Sequence, residues 1–357
     1  MDHYSQDGGH PNIVLQGMAA VAGMRMPDAR ERDTMAKLPM TFACGLYDRM
    51  LALYTGEVQA EGIDLDFLAI DDPREIFDRM GKDLAFDACE MSSSEVISRY
   101  AADRREMVAL PVFPSRVFRH GFITVNRKVV RSPKDLEGKR IGVPLYTQTA
   151  ALFIRGLLQD EYGVDLSGVH WVQGATNSAE SHGHPSAPPL LKPVSIEQNT
   201  SGRSLSELLE TGEIQAILGS GLPVALRTNP DVQRLFPDFH ARELDYYRRT
   251  RIFPIMHLVA IRRDLYEKHP FVATSLYQAM TAAKDLALAK MRDLGALRYM
   301  LPGLPAELDE IHATFGGDPW PYGVEVNRPT LEALVRYMAE QSLIKAPIPV
   351  DELFVPV

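Results

Sequence analysis

Hydrophobic positions along this chain switch repeatedly between two periods, and each switch marks an element boundary. Pro39–Gly45 is a nearly continuous apolar run and reads as a buried strand. Asp48–Gly56 carries Met50, Leu51, Leu53 and Tyr54 at helical spacing. Gly62–Ile70 alternates apolar and polar, as a half-buried strand does. Pro73–Met80 reads as a short helix that opens on proline, whose missing N–H costs nothing in the first turn. Ala85–Cys89 is a further strand. The serines Ser92–Ser94 behind it are good N-cap residues and open a helix to Asp103. Met107–Phe113 and Gly121–Asn126 read as strands.

The same alternation restarts at Ser132. Asp135–Pro144 is a polar turn followed by a strand, and Thr147–Thr149 precede an amphipathic helix over Ala150–Tyr162. Val169–Gln173 and Gln215–Gly219 read as strands, with a helix at Leu205–Glu210. Between them, residues 174–203 lack periodicity and are rich in Pro, Ser, Gly and His. So long a structureless stretch inside a compact domain predicts a mobile flap over a site. Phe253–Ile261 is a strand leading back out. The rest is mostly helical (Pro270–Leu294, Pro305–Ala313, Thr330–Ser342), broken by the Pro/Gly-rich Gly316–Gly323. Strand–helix alternation of this kind predicts an α/β protein with doubly wound, parallel sheets and flanking helices.

Composition narrows the function classes. The 357 residues carry 38 Lys+Arg against 47 Asp+Glu, a formal net charge of −9, with no basic run, which disfavours nucleic-acid binding. Hydrophobic residues make up 45%, enough for a sizeable core. Two cysteines, Cys44 and Cys89, exclude a disulfide scaffold; they end the first and third strands and are expected close together and reduced. No apolar run reaches about 18 residues, so no membrane-spanning helix is expected. Asn12–Gly23 is weakly apolar, lacks a basic leader and is broken by Gln16 and Gly17. It does not read as a signal peptide, and the expected compartment is the cytoplasm. Residues 1–37 read as an extension, partly disordered or packed as an arm, with a partner-binding arm in a homo-oligomer as a second reading.

The stretch DLEGKRIGVP (135–144), the threonine-bearing loop and helix behind it, and LSELLETGEIQAILGS (205–220) resemble the second lobe of type 2 periplasmic-binding-protein folds. More specific are YDRMLALYTGEV (47–58), FDACEMSSSEVISRY (86–100), LPVFPSRVFRHGFITVN (110–126), TAALFIRGLLQDEYGV (149–164), FPIMHLVAIRRDLYEKHP (253–270) and DPWPYGVEVNRPTLEAL (318–334). In this order they are similar to the 4,5-dihydroxyphthalate decarboxylase family, over about residues 38–355. The resemblance implies two lobes, 38–126 plus 255–357 and 127–254, with crossings near 126–132 and 251–256. A small aromatic carboxylate would lie in the cleft between them, beyond the carboxyl ends of the strands. It also implies a cofactor-free decarboxylase. A non-catalytic binding protein for an aromatic or dicarboxylate ligand, and a related hydroxybenzoate-type decarboxylase, are the alternatives.

Several residues could carry that chemistry. In Tyr47-Asp48-Arg49, Asp48 caps the helix and pairs with Arg49, or Arg49 binds a carboxylate that Asp48 and Tyr47 help to place. Glu90 is a partner for arginine or a proton relay, and Ser92 and Ser94 are caps or hydroxyls that hold a ligand. Arg116, Arg119 and His120 lie within five residues; an arginine fork matches a carboxylate, and histidine is a natural general acid near neutral pH. Thr147, Thr149 and Arg155 could clamp an anion from the second lobe. His257, inside an apolar strand, is the other candidate acid, or a satisfied core residue, and Tyr322 reaches the cleft or fills a turn. His182 and His184 would offer two metal ligands where a structural zinc site needs four, so no metal site is read there.

Overall fold

The periodic segments fold as strands β1 (Leu38–Cys44), β2 (Ile63–Ala69), β3 (Ala88–Ser92), β4 (Met107–Arg116), β5 (Ile123–Asn126), β6 (Arg140–Val143), β7 (His170–Gln173), β8 (Ile196–Gln198), β9 (Ala216–Leu218), β10 (Val232–Arg234) and β11 (Ile255–Arg262). The helices are α1 (Asp48–Tyr54), α2 (Pro73–Asp83), α3 (Ser93–Ala101), α4 (Thr149–Tyr162), α5 (Leu205–Thr211), α6 (Ala225–Thr228), α7 (Phe239–Thr250), α8 (Arg263–Lys268), α9 (Phe271–Arg292), α10 (Leu304–Phe315) and α11 (Arg328–Glu340). This is a computed structural model that describes residues 36–357 apart from 184, 186 and 296. The readings made for residues 1–35 and for His184 therefore lie outside the described residues. Among the described residues, no helix is long and apolar enough to cross a membrane.

The strands form two sheets, ordered β2-β1-β3-β11-β4 and β10-β5-β9-β6-β7-β8. Pairing is parallel between β1, β2 and β3 and between β6, β7, β8 and β9, as the strand–helix alternation requires. It is antiparallel where the chain passes from one sheet to the other. There β5 pairs with β9 and β10, and β11 inserts between β3 and β4. A segment entering a sheet from the opposite end must run against its neighbours, so the sheets are mixed rather than wholly parallel.

Three other points differ from the sequence reading. Gly121–Asn126 was assigned to the first lobe, but β5 pairs in the second sheet, so the chain leaves the first sheet between Arg116 and Ile123. Residues 174–203 are not without structure, because β8 extends the second sheet beyond β7. The segment after β9 forms α7 and β10. Only Glu243, Leu244 and Tyr246 of α7 are buried, and β10 is three residues long, so both are weakly marked by apolar residues. Each sheet has its own core. Phe42, Met91, Phe113 and Val259 are fully buried around the first, and Ile141, Trp171 and Leu218 around the second.

Candidate active site

A cavity of about 240 Å³ lies between the sheets, at the carboxyl ends of their parallel strands. The first sheet contributes Ser92 at the end of β3, Ser115 near the end of β4, His257 near the start of β11, and Arg74 and Phe77 from α2. The second contributes Thr147, Gln148 and Thr149 at the start of α4, His182 after β7 and Ser220 after β9. Arg119, in the crossing between the sheets, lines the same cavity.

The pairing of β3 with β11 brings two of the candidate residues together. His257 stands opposite Ser92 and Val259 opposite Glu90, so Glu90 and His257 are diagonal neighbours on one face. Glu90 Oε1 is 2.5 Å from His257 Nδ1 and accepts the Tyr47 hydroxyl at 2.9 Å. Its other oxygen accepts the Gly45 N–H at 3.2 Å and the Cys44 thiol at 3.4 Å. Burial of this fully enclosed carboxyl works against its charge. The charge and hydrogen bond of His257, with the Gly45 and Tyr47 donors, outweigh burial and hold it below the usual carboxylate range. A carboxylate can only accept, so it fixes the proton on Nδ1 and leaves Nε2 for the cavity that His257 lines. The ring is steadied by an edge contact with Phe77, centroids 4.9 Å apart.

Two arginines bring positive charge. Arg74 is bound by Glu95 at 2.5 and 3.2 Å and by Asp78 at 2.7 Å. Burial opposes its charge, but these carboxylates prevail and raise its pKa, so its charge is already balanced. Arg119 is different. Only 4% of it is exposed, and among the described residues it has no salt bridge such as those of Arg74, although Nε lacks a hydrogen-bond partner in both. Burial pulls its pKa down to about 9, opposed by the charge of Glu243, and it remains a cation at neutral pH. Glu243 itself accepts the Gly121 N–H at 3.0 Å. Arg119, faced by the Phe122 ring at 4.9 Å and by the charge of Glu243 but in no salt bridge among the described residues, is thus the less engaged of the two cations, and the site suits an anion.

The predicted hydroxyls do come together, but they bind one another. Ser92 Oγ is 3.1 Å from Thr149 Oγ1, which also takes the Ser94 N–H at 3.1 Å. Thr149 donates to Ser94 Oγ at 2.9 Å, and Ser94 Oγ donates to the Thr147 carbonyl at 2.8 Å. Ser92 is the N-cap residue of α3, yet its side chain caps no backbone N–H. These residues join the N-termini of α3 and α4 across the two sheets.

Other predicted residues lie outside this cavity. Arg116 is buried with its guanidinium on Asn327 Oδ1 (2.7 Å) and the Phe253 carbonyl (2.9 Å), where it braces the crossing. Arg155 donates from Nε to Gln341 Oε1 (2.6 Å) and from Nη2 to the Tyr146 carbonyl (2.7 Å). His120 sits between the edges of Phe236 and Tyr246; burial, then repulsion by Arg242 and Arg249, lowers its pKa to about 4. Tyr322 is buried in the first core. Asp48 pairs with Arg49 at 3.1 Å, and both line a separate cavity of about 330 Å³ with Phe118 and Trp320. Cys44 and Cys89 are both free and buried, on adjacent strands. Arg74, Ser115, Gln148 and Ser220 were missed, and His182 was weighed only as a metal ligand. For Arg74 a signal existed: it follows Pro73 in a helix opening directly behind a strand, the same carboxyl edge that drew attention to Tyr47 and Glu90.

No protein-family model matches the chain. The 4,5-dihydroxyphthalate decarboxylase of Comamonas testosteroni is 36% identical over 324 residues, which span 90% of this chain and 98% of that protein. The 4,5-dihydroxyphthalate decarboxylase of Pseudomonas putida is 38% identical over 224 residues, 62% of this chain and 85% of that one. Among solved structures, the periplasmic aliphatic sulphonate binding protein SsuA from Escherichia coli matches with a TM-score of 0.51 at 12% identity, covering 90% of this chain and 93% of that one. This last likeness is one of fold alone, and it is the two-lobed periplasmic-binding-protein-like fold that the sequence led us to expect.

Proposed function

The chain belongs to the 4,5-dihydroxyphthalate decarboxylase family, and from that premise we propose that it decarboxylates a hydroxylated aromatic carboxylate, 4,5-dihydroxyphthalate, in the cavity between its sheets. The observation that carries this reading is that a buried arginine without a salt bridge among the described residues, Arg119, and a carboxylate-backed histidine, His257, line one small cavity. In this substrate one hydroxyl is para to the departing carboxylate. Ionising it drives electron density onto the ring carbon that carries that carboxylate. Arg119 holds the carboxylates of the dianion and fixes the ring in the cavity. Protonated His257 delivers a proton from Nε2 to the ring carbon, and the carbon–carboxylate bond then breaks to release carbon dioxide. Glu90 stabilises the imidazolium before transfer and keeps the ring oriented, while Tyr47 and Gly45 hold Glu90 in place.

The test is to incubate the protein with 4,5-dihydroxyphthalate and to follow carbon dioxide and 3,4-dihydroxybenzoate. Wild type should form both in equal amounts. Arg119→Ala should weaken substrate binding by about 2–5 kcal/mol, and His257→Asn should lower turnover by about 10²–10⁴-fold with little change in affinity. Tight binding without product in the wild type would make the protein a binding protein instead. Full turnover in both variants would remove these residues from the reaction.

A further inference from the structure

The cavity has two chemically different sides. The first sheet and the crossing supply its charged groups, whereas the loops of the second sheet supply Gln148, His182 and Ser220. Gln148 Nε2 donates to Ser220 Oγ at 3.0 Å and lies 3.3 Å from His182 Nε2. An amide nitrogen has only protons to offer, so His182 Nε2 is the acceptor of that long contact and carries no proton. Burial, and then the positive charge of Arg74, lower the proton affinity of His182 against the opposing charges of Asp72 and Asp78. The other amide atom, Gln148 Oε1, is buried with no hydrogen-bond partner among the described residues. A buried acceptor without a donor is costly, and here it stands beside a second acceptor that is weakly served.

Gly183 explains how His182 arrives there. It has φ +127, and a Cβ at this position would lie 2.6 Å from the Arg74 stem, so the loop backbone rests directly against that side chain. The loop after β7 is thereby seated on the first lobe with His182 in the cavity.

Two neighbouring acceptors call for two neighbouring O–H donors. We propose that Gln148 and His182 form the subsite for adjacent ring hydroxyls, and that His182 takes the proton of the hydroxyl para to the departing carboxylate. This rests on the decarboxylase reading. In the step, the phenol O–H bond breaks and an N–H bond forms at His182 Nε2, the hydroxyl displacing the long contact from Gln148. The oxygen's electrons feed the ring, and the carboxylate-bearing carbon takes its proton from His257. The bond to carbon dioxide breaks with its electron pair returning through the ring to oxygen, which recovers its proton from His182. One proton is consumed, and solvent restores it to His257. Arg119 and His257 thus meet the carboxylate edge of the substrate, and Gln148 and His182 meet its hydroxyl edge.

The experiment compares ligands with and without hydroxyls. His182→Asn should lower turnover of 4,5-dihydroxyphthalate on the order of 10²-fold. By calorimetry, His182→Asn and Gln148→Ala should each weaken 3,4-dihydroxybenzoate on the order of tenfold, the size of one lost hydrogen bond, while phthalate binds as it does to wild type. Equal weakening of both ligands would show a general packing role and overturn the subsite. So would unchanged turnover and unchanged affinities. Binding needs no reaction, so the two readings fail separately. Absence of carbon dioxide from wild type would overturn the decarboxylase reading and the proton transfer with it, and the hydroxyl preference would still decide the subsite.

Discussion

His120 and His257 are both candidates for the proton donor from the sequence, and their surroundings separate them. His257 has a carboxylate on Nδ1 and lines the cavity, whereas His120 lies between aromatic edges with its Nδ1 unpartnered among the described residues. The pKa of His120, lowered from 6.5 to about 4, makes it a stability element. The unfolded chain binds a proton there at pH values where the folded chain does not. Its contribution is therefore full above about pH 6.5 and is lost as pH falls towards 4, a difference of roughly 3 kcal/mol. Urea unfolding at pH 7 and pH 4 should show wild type losing about 3 kcal/mol more than His120→Asn, since other groups titrate alike in both. The sequence made Arg116, Arg119 and His120 look like one cluster because they are neighbours in the chain. Once the strand ends at Arg116 their side chains diverge, and only Arg119 reaches the cavity. Conversely, Glu90 and His257 are 167 positions apart, and no spacing rule could join them before the order of the sheet was known.

At the scale of elements, the hydroxyl contacts between the starts of α3 and α4 are where the two sheets meet in the cleft. Thr149 Oγ1 is the hub, taking the Ser94 N–H and exchanging contacts with both serine hydroxyls. Thr149→Val keeps the volume but orphans buried donors, and it should cost about 1–3 kcal/mol. Thermal or urea unfolding reads this directly, and Thr149→Ser, which retains the hydroxyl, should recover most of it. Both helices and their parent strands were legible from period and N-cap chemistry. What the sequence did not reveal was that Ser92, Ser94 and Thr149 satisfy each other, because donor and acceptor come from different sheets. The elements missed, β8, β10, α6, α7 and α8, each bury few residues or none.

For the whole molecule, the segment expected to be a flap has a divided character. Its end is pinned as β8 on β7, while His182 and Gly183 reach across to the cavity and Arg74. Ligand binding that engages both sides of the cleft should therefore protect one part selectively. Hydrogen exchange around residues 177–183 should slow when 3,4-dihydroxybenzoate binds, with little change at β8. Equal protection at both places, or none, would detach this loop from ligand capture. Two successive α/β runs were readable from the strand–helix alternation and the two-lobed plan from the family resemblance, but the return of β11 to the middle of the first sheet was not. Its apolar run fits any interior strand.

That return has a consequence in time. With the order β2-β1-β3-β11-β4, β4 has no place in the sheet until β11 exists. During synthesis the ribosome must make the whole second sheet first. The 167 positions between Glu90 and His257 take roughly 8–30 s at ordinary elongation rates. Through that interval the nascent chain presents the open side of β3, the unattached apolar β4 and a glutamate awaiting its histidine. The Glu90–His257 pair is thus closed by the same event that completes the first sheet, so a chain that stalls before β11 has neither.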